Sequence, residues 1–170
     1  MTPLYIYTDG SFKGPKTSKS LGFYNPVPIG GWAAVFVYKG SEKIIYGCES
    51  LDTTTSNRME IAGVLKSLQI LNRSFQQLQF IKEVVILSDS EYTVNTADKW
   101  LRTWIEKDKT HNKKNMDLWT EVYQLQESLK DKFQIEYKWI KGHAGHKYNE
   151  LVDKMANKAR DEQIQKLNIS

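Results

Sequence analysis

Cysteine is nearly missing from this 170-residue chain, where Cys48 stands alone. No internal disulfide can form and no multi-cysteine zinc site can be built, and a reducing, cytoplasmic setting is expected. Long apolar runs are missing as well. None approaches the roughly 20 residues a membrane span needs, so no membrane partner is expected. The opening residues, Met1-Thr2-Pro3-Leu4, show no basic stretch followed by an apolar one. No secretory signal is therefore read, and no separate module is expected ahead of Leu4. Histidine is scarce too. The pair in Gly142-His143-Ala144-Gly145-His146 lacks cysteine partners and is flanked by glycine, which makes a poor structural zinc site.

What is present fits one domain of ordinary globular composition, over residues 1–170, long enough to bury a full core. The formal charge of +4 is modest, but it is concentrated. Between Lys99 and Asn115, Lys99, Arg102, Lys107, Lys109, Lys113 and Lys114 face only Glu106 and Asp108. Such a patch suits a polyanionic partner, although a solvated helix face would read the same way.

Apolar periodicity orders the chain as βββαβααβα. Leu4–Thr8, Gly31–Tyr38 and Lys43–Cys48 read as strands, the last two joined through Lys39–Glu42 with Gly40 at the turn. Ile61, Ala62, Leu65, Leu68 and Leu71 give a helical period from Asn57 to about Asn72. Glu83–Ser88 is a β-branched run of the kind that is covered on both faces. Glu91–Ile105 and Asp117–Leu129 read as helices, Gln134–Ile140 as a strand, and Lys147 to about Gln165 as a last helix. A meander followed by strand–helix alternation makes an α/β fold with a mixed sheet and helices on its faces. Phe12–Gly30 has no period and carries Pro15, Pro26 and Pro28, so a long loop is expected there.

Four motifs each deliver one acid: YTDGS with Asp9, SNRMEIAG with Glu60, LSDSEY with Asp89, and WIKGHAGHKYNELVD ending in Asp153. Hard divalent cations want several carboxylate oxygens close together, and phosphodiester cleavage by two ions wants shared ligands between them. Local roles compete with this reading. Asp9 could close its strand in an Asx-turn. Glu60 lies three residues after Asn57, the spacing of a capping box. Asp89 precedes a helix, where Asp is a favoured cap, and Ser88 with Glu91 offers a second box. Caps explain acids singly and do not explain four acids at element ends that an α/β sheet gathers together. Asp153, inside a helix among core-facing neighbours, has the weakest local explanation. His143 in its glycine loop suits proton transfer, since histidine titrates near neutrality, whereas His146 reads as a surface loop residue. Trp100 and Trp104 share a helix face beside the lysines. Core packing is the usual use of such a pair, and contact with a nucleic-acid backbone is the alternative. Asn57, with Ser56 and Thr55, could read a minor-groove edge and a 2′-hydroxyl, or could simply shape a turn.

These motifs, together with NMDLW, occur in an order and at spacings that strongly resemble type 1 ribonuclease H, the family of bacterial ribonuclease HI and of eukaryotic and retroviral ribonuclease H domains. The resemblance runs from about Tyr5 to Arg160. It implies a ribonuclease H-like fold: a five-stranded mixed sheet, made of a three-stranded antiparallel meander plus two parallel strands, with helices on both faces. It implies an endonuclease that cuts the RNA strand of RNA–DNA hybrids, acting as a monomer and leaving 5′-phosphate and 3′-hydroxyl ends. Asp9, Glu60, Asp89 and Asp153 would hold two Mg²⁺ ions, with Mn²⁺ able to replace them, Glu150 would stand near the metals, and His143 would assist proton transfer or product release. Thr55 and Asn115 match positions that grip a DNA-strand phosphate, and Ser56 and Asn57 match the pair that contacts ribose hydroxyls and base edges. Trp100 matches a channel aromatic, and Trp104, Lys113 and Lys114 belong to the basic segment expected to hold substrate. Ser56 stands where asparagine is common, Phe12–Gly30 is longer than the usual turn, and the segment after Trp104 is short, so a weaker grip is expected there. A binding module of this fold without chemistry and a nuclease for other duplexes are the alternatives. The complete acidic set disfavours the first, while the Asn57 neighbourhood and NMDLW disfavour the second.

Overall fold

The computed structural model describes residues 2–14, 28–49 and 54–169. Three strands, β1 (Leu4–Lys13), β2 (Ile29–Tyr38) and β3 (Ser41–Glu49), form an antiparallel meander. β4 (Glu83–Ser88) and β5 (Gln134–Trp139) join it in parallel, giving the order β3-β2-β1-β4-β5. The helices are α1 (Ser56–Ser74), α2 (Glu91–Asn95), α3 (Leu101–Glu106), α4 (Met116–Leu129) and α5 (Lys147–Ile169). The expected mixed five-stranded sheet is therefore present.

Strand alternation divides the core in two. Leu4, Ile6 and Ala34 point to one side, where Ile61, Val64, Leu65 and Leu68 of α1 and Trp119 and Val122 of α4 cover them. Ala33, Val35 and Val37 point to the other side, under Val152 and Ala156 of α5. β4 is buried on both faces from Val84 to Ser88, which is why its sequence is an unbroken β-branched run. Helices thus lie on both faces. Among the described residues no helix is long and apolar enough to cross a membrane.

Three differences from the sequence reading bear on the site and its surroundings. β1 does not stop at Thr8. It pairs with β2 through Asp9↔Ala33 and on to Lys13↔Ile29, so the ends of the expected Phe12–Gly30 loop are strand. The remainder of that loop, residues 15–27, lies outside the described residues. The Lys39–Glu42 turn tightens to Lys39-Gly40, both at positive φ (50° and 84°), as a two-residue hairpin between right-twisted strands requires. The single helix expected over Glu91–Ile105 is interrupted by a π-helical turn at Thr96–Trp100, closed by the Leu101 N–H donating to Thr96 O. One residue is inserted there, and apolar periodicity does not register such an insertion.

Candidate active site

The acidic centre forms where the middle of β1 and the carboxyl end of β4 meet the flanks of α1 and α5. Asp9 sits within β1, paired with Ala33, and not in a turn. The next residue explains how Glu60 reaches it. A Cβ on Gly10 would overlap the backbone of Met59 and Glu60 and would lie 2.8 Å from Met59 Cβ. Only glycine lets α1 pack this closely on the strand. The Gly10 N–H donates to Asp9 Oδ1 at 2.9 Å.

Neighbours take the capping roles that would have explained the acids. Thr55 caps α1, its hydroxyl accepting the Arg58 N–H at 3.2 Å. Glu60 is left a turn inside the helix, only 8% exposed. Ser90 caps α2, its hydroxyl accepting the Thr93 N–H at 3.2 Å, and Ser88 Oγ accepts from Ser90 N at 3.1 Å. Asp89 is left half-buried, with its carboxylate free to face the centre.

Asp9, Glu60 and Asp89 each offer a carboxylate oxygen, and these oxygens all lie within 4.8 Å of one another. Asp153 of α5 is not one of these three but stands beside them. It acts on Asp9 as a hydrogen-bond partner and on Glu60 and Asp89 through its charge. Crowded burial shows in the protonation. Asp9 is pushed up to about 10, first by burial and then by Glu60 and Asp89. Glu60 is pushed up to about 8, chiefly by burial, against hydrogen bonding with Asp9. Asp89 is raised by burial and by Asp153, while the nearby His143 charge pulls it back. Glu60 Oε2 is buried without a hydrogen-bond partner. Stranding a buried carboxylate costs several kcal/mol, so a cation is the natural partner for this group. An all-oxygen donor set selects a hard divalent ion, and the residues present fit one.

His143 lies exposed in the β5–α5 loop at φ 56°. Glu150 is exposed on the first turn of α5, its N–H bonded to His146 O at 2.9 Å. His146 is an exposed loop residue, as read. Gly142 packs against Asp89, since a Cβ there would come within 2.8 Å of Asp89 Oδ2.

A second group of residues gathers at the N-termini of α1 and α4. Thr55 and Asn115 are 60 positions apart in sequence, and Arg58 joins them. Its N–H bonds Thr55, and Nη1 donates to Asn115 Oδ1 at 3.4 Å. A two-pronged bridge to Asp117 at 3.0 and 2.7 Å holds the guanidinium in place. Asn115 adopts left-handed geometry at φ 65° and reaches Tyr92 OH at 3.4 Å. Ser56 and Asn57 are exposed on the first turn of α1, between this group and Glu60. Trp100 and Trp104 are not core residues. Trp100 is 43% exposed, its ring centroid 6.3 Å from that of Trp104, and Lys113 Nζ lies 4.7 Å over Trp104. Lys114 is exposed beside Asn115. Gly10, Arg58 and Gly142 are site residues that the sequence reading passed over. Their only signal is adjacency: a glycine after an acid, an arginine between Asn57 and Glu60, and a glycine before His143.

Fold and site together define a metal-dependent nuclease centre on a mixed α/β sheet. The family model for RNase H matches residues 1–161. A ribonuclease H of Chromobacterium violaceum is 41% identical over 157 residues, covering 90% of this chain and 91% of that protein. A ribonuclease H of Francisella tularensis subsp. novicida is 40% identical over 164 residues, covering 94% and 92%. This chain belongs to the ribonuclease H family. Solved structures at lower identity share the fold. LC9-RNase H1, described as a type 1 RNase H with the type 2 active-site motif, superposes with a TM-score of 0.68 at 23% identity, over 95% of this chain and 74% of that one. LC11-RNase H1, solved in complex with an RNA/DNA hybrid, gives 0.64 at 17% identity, over 95% and 99%.

Proposed function

We propose that Asp9, Glu60, Asp89 and Asp153 hold two Mg²⁺ ions, or Mn²⁺ in their place, in an enzyme that hydrolyses the RNA strand of RNA–DNA hybrids. The observation that carries this reading is the convergence on one point of two buried carboxylates, from β1 and α1, and a half-buried one just past β4, with Glu60 Oε2 left without a partner. Such ions, when bound, activate a water for in-line attack and stabilise the leaving 3′-oxygen, so that products carry 5′-phosphate and 3′-hydroxyl ends. The protein's part is to hold the carboxylates on one strand, on the bend that ends another and on two helices, so that little rearrangement is needed on binding. His143 carries a proton to or from the reacting oxygens from its exposed loop, and Glu150 supports the metal site from the first turn of α5.

Strand choice comes from the residues beside the acids. Asn57 and Ser56 contact the 2′-hydroxyl and base edges of the RNA, the group that separates RNA from DNA at a given position. Thr55 and Asn115, tied together by Arg58, hold a phosphate of the DNA strand at two helix N-termini. Trp100 and Trp104 stack along that strand, and Lys113 and Lys114 neutralise its phosphates. The reading extends to a monomer acting as one catalytic domain in the cytoplasm, in keeping with a single cysteine.

The test offers an RNA–DNA hybrid, double-stranded RNA and double-stranded DNA at equal concentration with Mg²⁺, each strand labelled in turn. Cutting confined to the RNA of the hybrid is expected. Comparable cutting of double-stranded RNA, or any cutting of DNA, would return the enzyme to the class of general duplex nucleases.

A further inference from the structure

Asp89 is the least enclosed of the three converging carboxylates. β1 and α1 lock Asp9 and Glu60, whereas Asp89 sits on a bend just past the end of β4. The segment that leads from β5 into α5 touches it twice. Trp139 Nε1 donates to the Asp89 carbonyl at 3.0 Å, and Gly142 lies directly against the carboxylate. Between them, the Ile140 N–H bonds Ser88 O at 3.0 Å and carries the β4–β5 pairing up to the bend.

Neither residue has an ordinary reason to be what it is. Trp139 is 46% exposed, so core packing does not explain a tryptophan there, and its polar edge is the part with a defined partner. Gly142 does not lie in the left-handed region, whereas Gly145 does, at φ 83°. Backbone conformation therefore does not demand glycine at 142. What a side chain there would change is the carboxylate, because a Cβ would stand 2.8 Å from Asp89 Oδ2 and that oxygen would have to move.

We propose that Trp139 and Gly142 are positioning residues for Asp89: the indole fixes its backbone and the bare Cα leaves room for its carboxylate to turn toward the metal. The inference rests on Asp89 being a metal ligand. It makes the His143 loop part of the metal seat, because the residue preceding His143 sets the clearance for a ligand.

The experiment is Mn²⁺ binding to the free enzyme, followed by electron paramagnetic resonance, for the parent, Trp139→Phe, Gly142→Ala, Asp89→Asn and the loop control Ala144→Ser. Groups that orient metal ligands typically contribute about 10–100-fold in affinity. Gly142→Ala should weaken Mn²⁺ binding within that range, and Trp139→Phe, which keeps a ring and loses the N–H, by a smaller factor. Ala144→Ser should bind as the parent does. Saturating Mn²⁺ should restore most of the kcat of Trp139→Phe with the hybrid KM unchanged. A lowered Tm with parental Mn²⁺ affinity in both variants would make the two residues merely structural and would overturn the inference. Asp89→Asn separates the two levels. If it loses Mn²⁺ while Trp139→Phe and Gly142→Ala keep it, only the positioning role fails. If it keeps Mn²⁺, the metal assignment of Asp89 fails and the positioning role falls with it.

Discussion

Asp9 and Glu60 lie within hydrogen-bonding reach of each other in a buried setting, and each holds its proton far above the ordinary carboxylate range. The folded chain therefore binds protons that the unfolded chain has already released. Stability from this pair is full below about pH 4, where the unfolded carboxyls are still protonated. It is lost as pH climbs toward about 8 for Glu60 and about 10 for Asp9. The Tm of the metal-free protein should accordingly fall between pH 5 and pH 9, and Mg²⁺ should remove much of that fall. Asp9→Asn should flatten the profile in the same way while abolishing cleavage. Calorimetry across that range checks both, and a metal-free Tm that rises with pH would contradict them. His143 stands outside this buried group, on an exposed loop. His143→Ala should slow turnover by roughly 10²–10⁴-fold, the contribution of a positioned acid or base, with residual activity left. Unchanged kcat between pH 6 and 9 in saturating Mg²⁺ would make it a plain loop residue.

At the scale of elements, the proposed substrate contacts fall at the N-termini of α1 and α4, and the proposed metal ligand of β1 lies in mid-strand. Thr55 caps α1, and the proposal gives it a second role against a DNA phosphate. Thr55→Ala should cost about 1 kcal/mol of stability, the usual value of a threonine cap, and should raise KM for the hybrid. Denaturant titration and steady-state kinetics separate the two, and a stability loss at unchanged KM would leave Thr55 a cap only. The basic arm between α3 and α4 should supply affinity and not chemistry. Lys113→Ala with Lys114→Ala should raise KM and flatten its salt dependence, since a protein that neutralises fewer phosphates releases fewer counterions on binding. A fall in kcat at constant KM would overturn that assignment.

The same elements show what can be read from a sequence. Glu83–Ser88 was legible to the residue because a strand covered on both faces has one composition throughout. Asp9-Gly10-Ser11 was misread as a strand end. Its local chemistry is that of a turn, and what keeps it extended is pairing with residues 31–33, far along the chain. The meeting of Asp9, Glu60 and Asp89 was legible because each sits in its own motif. Their freedom from capping was not, since Thr55 and Ser90 are as plausible locally as Asn57 and Asp89, and only backbone geometry decides between them. The π-turn before Leu101 left no signal, because one inserted residue barely disturbs an apolar period.

At the scale of the whole molecule, the sheet order sets Asp9 of β1 beside Asp89, just past the end of the parallel strand β4, while α1 and α5 bring Glu60 and Asp153 from opposite faces. Three distant stretches of chain thus bring Asp9, Glu60 and Asp89 to one point, and the proposal that this point, with Asp153 beside it, seats the catalytic metal is the central claim. The most direct test is cleavage of a hybrid labelled on its RNA strand, in Mg²⁺ and in chelator, by the parent and by Asp9→Asn, Glu60→Gln and Asp89→Asn. The expected result is internal cutting of the RNA by the parent in Mg²⁺, with 5′-phosphate and 3′-hydroxyl ends, none in chelator, and none by folded protein of any of the three variants. Cutting in chelator, or a near-parental rate in any variant, would contradict a metal centre built from these carboxylates.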